Sequence, residues 1–138
     1  MVMKTNTVQR LHGLLFPEPI SSHFEVEDIK EFSEHIEIRL EELAELVPKE
    51  LSESRGKIIL DGFCNPVELQ SFPLKGKAVY LKIYRRRWKE KDTSCHYSNS
   101  YTLHPQGVKA TADFASFLKA AFGQTPDEHN TYRDGFMH

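Results

Sequence analysis

The sequence predicts an α+β domain: a small, twisted, mostly antiparallel sheet packed by a C-terminal amphipathic helix, with a short helix at the N-terminus. Two stretches alternate in period two, the signature of strands with unlike faces. In Val79–Trp88, Val79, Leu81 and Ile83 point one way, and Tyr80, Lys82, Tyr84, Arg86 and Trp88 the other. In His35–Leu40, Ile36, Ile38 and Leu40 oppose His35, Glu37 and Arg39. Further along, Phe114, Phe117, Leu118, Ala121 and Phe122 recur at helical spacing, a stripe suited to packing on a sheet.

Taken in order, Val8, Leu11, Leu14 and Leu15 outline a short amphipathic helix over Asn6–Leu15, ended before Pro17. Pro17-Glu18-Pro19 then forces a non-helical link. His23–Phe32 starts as a strand, with Phe24 and Val26 on one face and Glu25 and Glu27 on the other. Glu31–Glu34 reads as the loop into His35–Leu40, so residues 22–42 form an acidic hairpin with one wet side. Glu41–Val47 reads equally as a helical turn or a bent strand extension.

Lys57–Asp61 is a short strand broken by Gly62 and Asn65-Pro66, and Val67–Phe72 is another. Pro73 and Gly76 turn the chain into a basic strand within residues 77–91. Its alternating part is ~33 Å long at ~3.3 Å per residue. Asp92–Ser94 is a polar turn and His96–Leu103 a return strand. The helix over residues 109–122 has Thr111 as its cap, Asp113 in its first turn and Gly123 as its stop. The whole reads as one domain, residues 1–123, followed by a flexible polar tail, residues 124–138.

Composition narrows the class. No apolar run approaches the ~18 residues of a membrane span, and no secretory cleavage pattern is present, so no membrane partner is expected. Two cysteines, Cys64 and Cys95, make no disulfide scaffold and suit a reducing cytoplasm. Net charge is only -2, but it is unevenly spread. Residues 1–54 hold five Lys/Arg and twelve Asp/Glu; residues 55–138 hold thirteen and eight. That asymmetry points to an anionic partner for the basic half.

The basicity concentrates in Phe72–Lys91, where eight cations face one acid, Glu90. Phosphate contact is the functional reading, with Lys75, Lys77, Lys82, Arg85, Arg86, Arg87, Lys89 and Lys91 as cations and Tyr84 or Trp88 stacking beside them. The plainer readings are charges that guard a strand edge and a Trp88 that anchors a neighbouring strand. Three consecutive arginines exceed what edge protection needs. Cys64, Cys95 and His96 could donate to a metal, but a structural zinc usually takes paired CxxC ligands, which are missing, so no metal or other cofactor is expected. No Gly-rich phosphate loop, HExxH or GxSxG occurs, and the acids repeat along a wet face. The chain is therefore expected not to be an enzyme.

The segments SSHFEVEDIKEFSEHIEIRLEE, ILDGFCNPVELQSFPLKGKAVYLKIYRRRWKEK and TADFASFLKAAF resemble the N-terminal region of bacterial insertion-sequence transposases of the ISAon type, over roughly Pro19–Phe122. The specific block is FPLKGKAVYLKIYRRRW, matched at Phe72, Pro73, Gly76, Lys77, Val79, Tyr80, Leu81, Arg85, Arg86, Arg87 and Trp88. A more distant likeness is to zinc-ribbon domains of another transposase group, from which this chain departs by keeping only Cys64 and Cys95. The resemblance implies a noncatalytic region that recognises or holds double-stranded DNA at transposon ends, with the catalytic acids on a downstream domain or separate chain. The alternative it leaves open is a protein-interaction module in which the acidic hairpin (Glu25, Glu27, Glu37) docks on the catalytic transposase chain.

Overall fold

The alternating stretches become two sheets in the computed structural model, which describes residues 5–103 and 110–122. Helix α1 (Thr5–Leu15) and a single helical turn α2 (Ile20–His23) lead into strands β1 (Phe24–Glu31) and β2 (His35–Glu42). Then follow β3 (Ile58–Phe63), β4 (Val67–Leu74), β5 (Lys77–Tyr84), β6 (Arg86–Glu90) and helix α3 (Ala112–Phe122). A four-stranded sheet has the order β1-β2-β5-β4, and β3 pairs with β6 in a separate two-stranded ribbon. Every pairing is antiparallel except β2 with β5, which is parallel.

The core follows from the period of two. Ile36, Ile38 and Leu40 of β2 and Val79, Leu81 and Ile83 of β5 share one face with Leu69 of β4, and Phe16, Ile20, Phe24 and Leu103 close over them. A smaller cluster forms where α3 lies along β4. Ala110, Phe114, Ala115 and Leu118 are buried there, and Phe72 meets Phe114 edge-on at 5.2 Å between ring centroids. Phe117 and Ala121, expected on the same buried stripe, stay exposed, Phe117 covering only the edge of Phe72 at 5.5 Å. Thr111 caps this helix as expected, its Oγ1 accepting the Phe114 N–H at 3.3 Å. The tight β4–β5 connection places Lys75 and Gly76 at positive φ, 52° and 73°, the pattern of a two-residue hairpin turn matched to strand twist.

Four further expectations are corrected. The basic stretch is not one long strand: it breaks at Arg85, with β5 in the four-stranded sheet and β6 in the ribbon. The strand expected at Lys57–Asp61 runs on to Phe63, because Gly62 (φ 76°) absorbs a shift in register instead of ending the pairing. The return strand His96–Leu103 reduces to a single bridge between Tyr97 and Trp88, since Asn99 and Tyr101 spend their polar groups on a buried carboxylate. The final helix begins at Ala112, where Thr111 can cap it. Lys109 and the expected tail, residues 124–138, lie outside the described residues. The open segment after Leu40 resolves as strand through Glu42.

Leu81 sits at the centre of this arrangement with no exposed surface. Leu81→Ala is expected to lower unfolding free energy by about 3 kcal/mol in a denaturant titration, through lost transfer energy and the cavity left behind.

Candidate nucleic-acid interface

The acidic and basic halves meet inside the molecule. Because β2 lies directly beside β5, the acids of the hairpin come within diagonal reach of the cations of the basic strand, although the register itself sets Glu37 opposite Tyr80 and Arg39 opposite Lys82. Lys82 Nζ lies 2.7 Å from Glu37 Oε1. That hydrogen bond holds the Glu37 carboxyl below its ordinary range and raises the Lys82 ammonium above its own. Lys77 Nζ donates to Glu31 Oε2 and to the Phe32 carbonyl, each at 2.8 Å. Tyr84 lies under the Arg39 guanidinium, 3.8 Å from ring centroid to carbon, and Arg39 in turn bonds Glu41 at 2.7 Å.

The three arginines hold the crossover between the sheets. Arg85 donates from Nη1 to the Asn99 carbonyl at 2.9 Å. Arg86 donates its backbone N–H to Glu42 Oε1 at 2.8 Å and its Nε to the Glu42 carbonyl at 2.6 Å. Glu42 is fully buried, occupying the inward slot that follows Ile36, Ile38 and Leu40. Its other oxygen accepts from Asn99 Nδ2 at 3.0 Å and from the Tyr101 hydroxyl. Burial, and then this carboxylate, push the Tyr101 phenol well above its usual range. Extending the alternation of His35–Leu40 by one more step would have flagged Glu42 as an inward acid.

Arg87 donates from Nε to the Asp61 carbonyl at 2.8 Å and keeps its guanidinium 3.8 Å from the Asp61 carboxylate. The same carboxylate bonds His96, and that bond above all holds Asp61 below the usual carboxylate range. Trp88 is buried on the opposite face of the ribbon, exchanging backbone hydrogen bonds with Tyr97 at 2.8 Å in each direction. Trp88 is therefore a strand anchor, not a stacking platform.

Of the five lysines in the basic block, Lys75, Lys89 and Lys91 form no ion pair among the described residues. Lys75 sits at the β4–β5 turn, away from the ribbon. The ribbon register sets Ile59 opposite Lys89, and one step further the Lys91 N–H reaches the Lys57 carbonyl at 2.7 Å. Side chains directly opposite in an antiparallel pair share a face, so Lys57, Lys89 and Lys91 lie together, with Arg87 at the Asp61 end. Lys57 was not singled out from the sequence because it stands outside the basic block; only strand pairing brings it there.

The outer strand β1 shows the opposite imbalance. Glu25 stands directly across from Glu41. Glu41 is met by Arg39 and Arg86, while no cation pairs with Glu25 or Glu27 among the described residues. The Glu41 charge, with burial and Glu25 behind it, raises the Glu27 carboxyl above its ordinary range. Cys64 is half-buried and Cys95 exposed, and the described residues contain no group of three or more His, Cys, Asp or Glu able to hold a metal. No described helix is long and apolar enough to cross a membrane. Comparison with family models, curated proteins and solved structures returns no match.

Removing the Glu42 carboxylate deprives three half-buried residues of an acceptor and empties a fully buried slot, so Glu42→Ala is expected to cost about 3 kcal/mol of stability in denaturant titrations. Glu27 carries the reverse sign. A carboxyl raised in the folded state is a penalty that is present above its folded pKa and relieved as pH falls towards the unfolded value. Glu27→Gln should therefore raise Tm at pH 7 and low salt, with the gain shrinking at lower pH and in high salt.

Proposed function

We propose that the chain is a noncatalytic DNA-binding region of a transposase, contacting duplex DNA at the element's ends through the basic face of the β3–β6 ribbon. The observation that carries this reading is the gathering of Lys57, Lys89 and Lys91, all without ion-pair partners, on an element separate from the main sheet. Arg87 extends the row, its charge shared with Asp61. A two-stranded β-ribbon is one of the shapes that the ~12 Å wide major groove admits. From Arg87 to Lys91 the row spans ~13 Å at ~3.3 Å per residue, a length over which duplex DNA presents several phosphates.

The resemblance of FPLKGKAVYLKIYRRRW to the N-terminal region of ISAon-type transposases supports the same partner. In this reading the basic residues divide the labour. Arg85 and Arg86 position the ribbon by fastening the crossover to Asn99 and Glu42, and Arg87, Lys89 and Lys91 meet the phosphates. Lys77 and Lys82 neutralise the acidic hairpin.

About four phosphate contacts should give a log–log salt slope near -3.6, at ~0.9 per contact. Fluorescence anisotropy with a labelled element-end duplex and a shuffled duplex across a salt series measures it. Lys89→Ala with Lys91→Ala should flatten the slope by ~1.8, and Lys82→Ala, removing a cation already paired, should leave it unchanged. Equal slopes for all three proteins would remove the ribbon from DNA binding.

A further inference from the structure

We propose that the free edge of β1 is a docking site for a basic, apolar-alternating strand of another protein. This reading is independent of DNA contact by the ribbon, which lies in the other sheet.

β1 ends the sheet order, and from Glu25 to Glu31 every residue is exposed. An uncovered edge of this length is a template for strand addition, a recurring mode of peptide recognition. Its two faces specify what the added strand must carry. On the core side, Val26 and Ile29 pair with Leu40 and Ile38, yet remain 36% and 60% exposed. They border an apolar groove of about 980 Å³ between α1 and the sheet, lined also by Val8, Leu11, Leu15 and Ile38. That volume is the size of a ligand pocket and has room for several side chains. Apolar residues at alternate positions of the incoming strand would enter it.

On the other face, Glu25 and Glu27 stand beside Glu41 without a cation of their own. Like charges on adjacent strands repel, and a cation opposite them relieves this. The incoming strand is thus basic on that face. The same charges argue against a second copy of the chain at this edge, since two β1 strands would set Glu25, Glu27, Asp28 and Glu31 against their equivalents with only Lys30 to offset them. The irregular register between Val26 and Asp28 is the sort of bulge that discourages indiscriminate pairing and so favours a matched partner.

The test uses the full chain and an amidated nine-residue peptide alternating arginine with valine, without DNA. A control peptide has the same composition with the arginines in one block. Saturable binding of the alternating peptide is expected, with amide hydrogen exchange slowed at residues 25–31. The block control, the pair Glu25→Lys with Glu27→Lys, and Ile29→Glu should each weaken binding at least about tenfold, two cross-strand pairs being worth about that much. Thermal melts confirm that the variants fold, and Lys82→Ala serves as a folded variant outside the edge. Equal binding of both peptides, no binding at low salt, or protection confined to other residues would overturn the proposal. So would protection of residues 25–31 by self-association alone, which would assign the edge to a second copy.

Discussion

A single buried carboxylate, Glu42, joins the parts of this molecule. It sits at the last inward position of β2, where Ile36, Ile38 and Leu40 have already committed that face to the core. A charge taken out of water is costly unless its lone pairs are filled. Here they are filled by the Arg86 N–H, the Asn99 amide and the Tyr101 hydroxyl. Those three donors come from the start of β6 and from the segment after it, so satisfying one side chain fixes where the main sheet ends, where the ribbon begins and where the following chain lies. The break in the basic stretch is a consequence. At Arg86 the backbone N–H is given to Glu42, and the chain leaves β2 to pair with β3.

The second organising fact is the complementarity of the two halves. A chain of net charge -2 with balances of opposite sign in its two parts could be dipolar or internally neutralised. The parallel pairing of β2 with β5 makes it largely the latter, by laying Glu31 and Glu37 against Lys77 and Lys82. Exposed ion pairs contribute little to stability; their effect here is on what stays available. Among the described residues, Lys77 and Lys82 beside the hairpin are paired, whereas Lys89 and Lys91 beyond the crossover are not. Unpaired lysines therefore gather on the ribbon, and unpaired acids on the β1 edge.

These two surfaces suit a module with two kinds of partner. The ribbon is small and basic, Trp88 is buried on its other face, and Tyr97 bridges the outer edge of β6. The β1 edge combines an apolar groove with unneutralised acids, the composition of a peptide-binding edge. Because they occupy different sheets, one can be altered by substitution without touching the other. In the proposed reading the ribbon holds DNA while another chain docks on the β1 edge.

By itself the sequence determined the local elements, because period and punctuation are local properties. The inward rows of β2 and β5, the hairpin around Ser33, the Thr111 cap and the inward placing of Phe114 and Leu118 follow from side-chain spacing. Even the burial of Glu42 was within reach of that rule. Only the tertiary structure decided which strands adjoin, and with it the fate of each charge. Nothing in the spacing of FPLKGKAVYLKIYRRRW says that Lys82 faces Glu37, that Arg85 reaches Asn99, or that Lys57 joins Lys89 and Lys91. Those meetings join residues far apart in the chain, and electrostatic attraction acts on distance in space, which strand order sets and sequence periodicity does not encode.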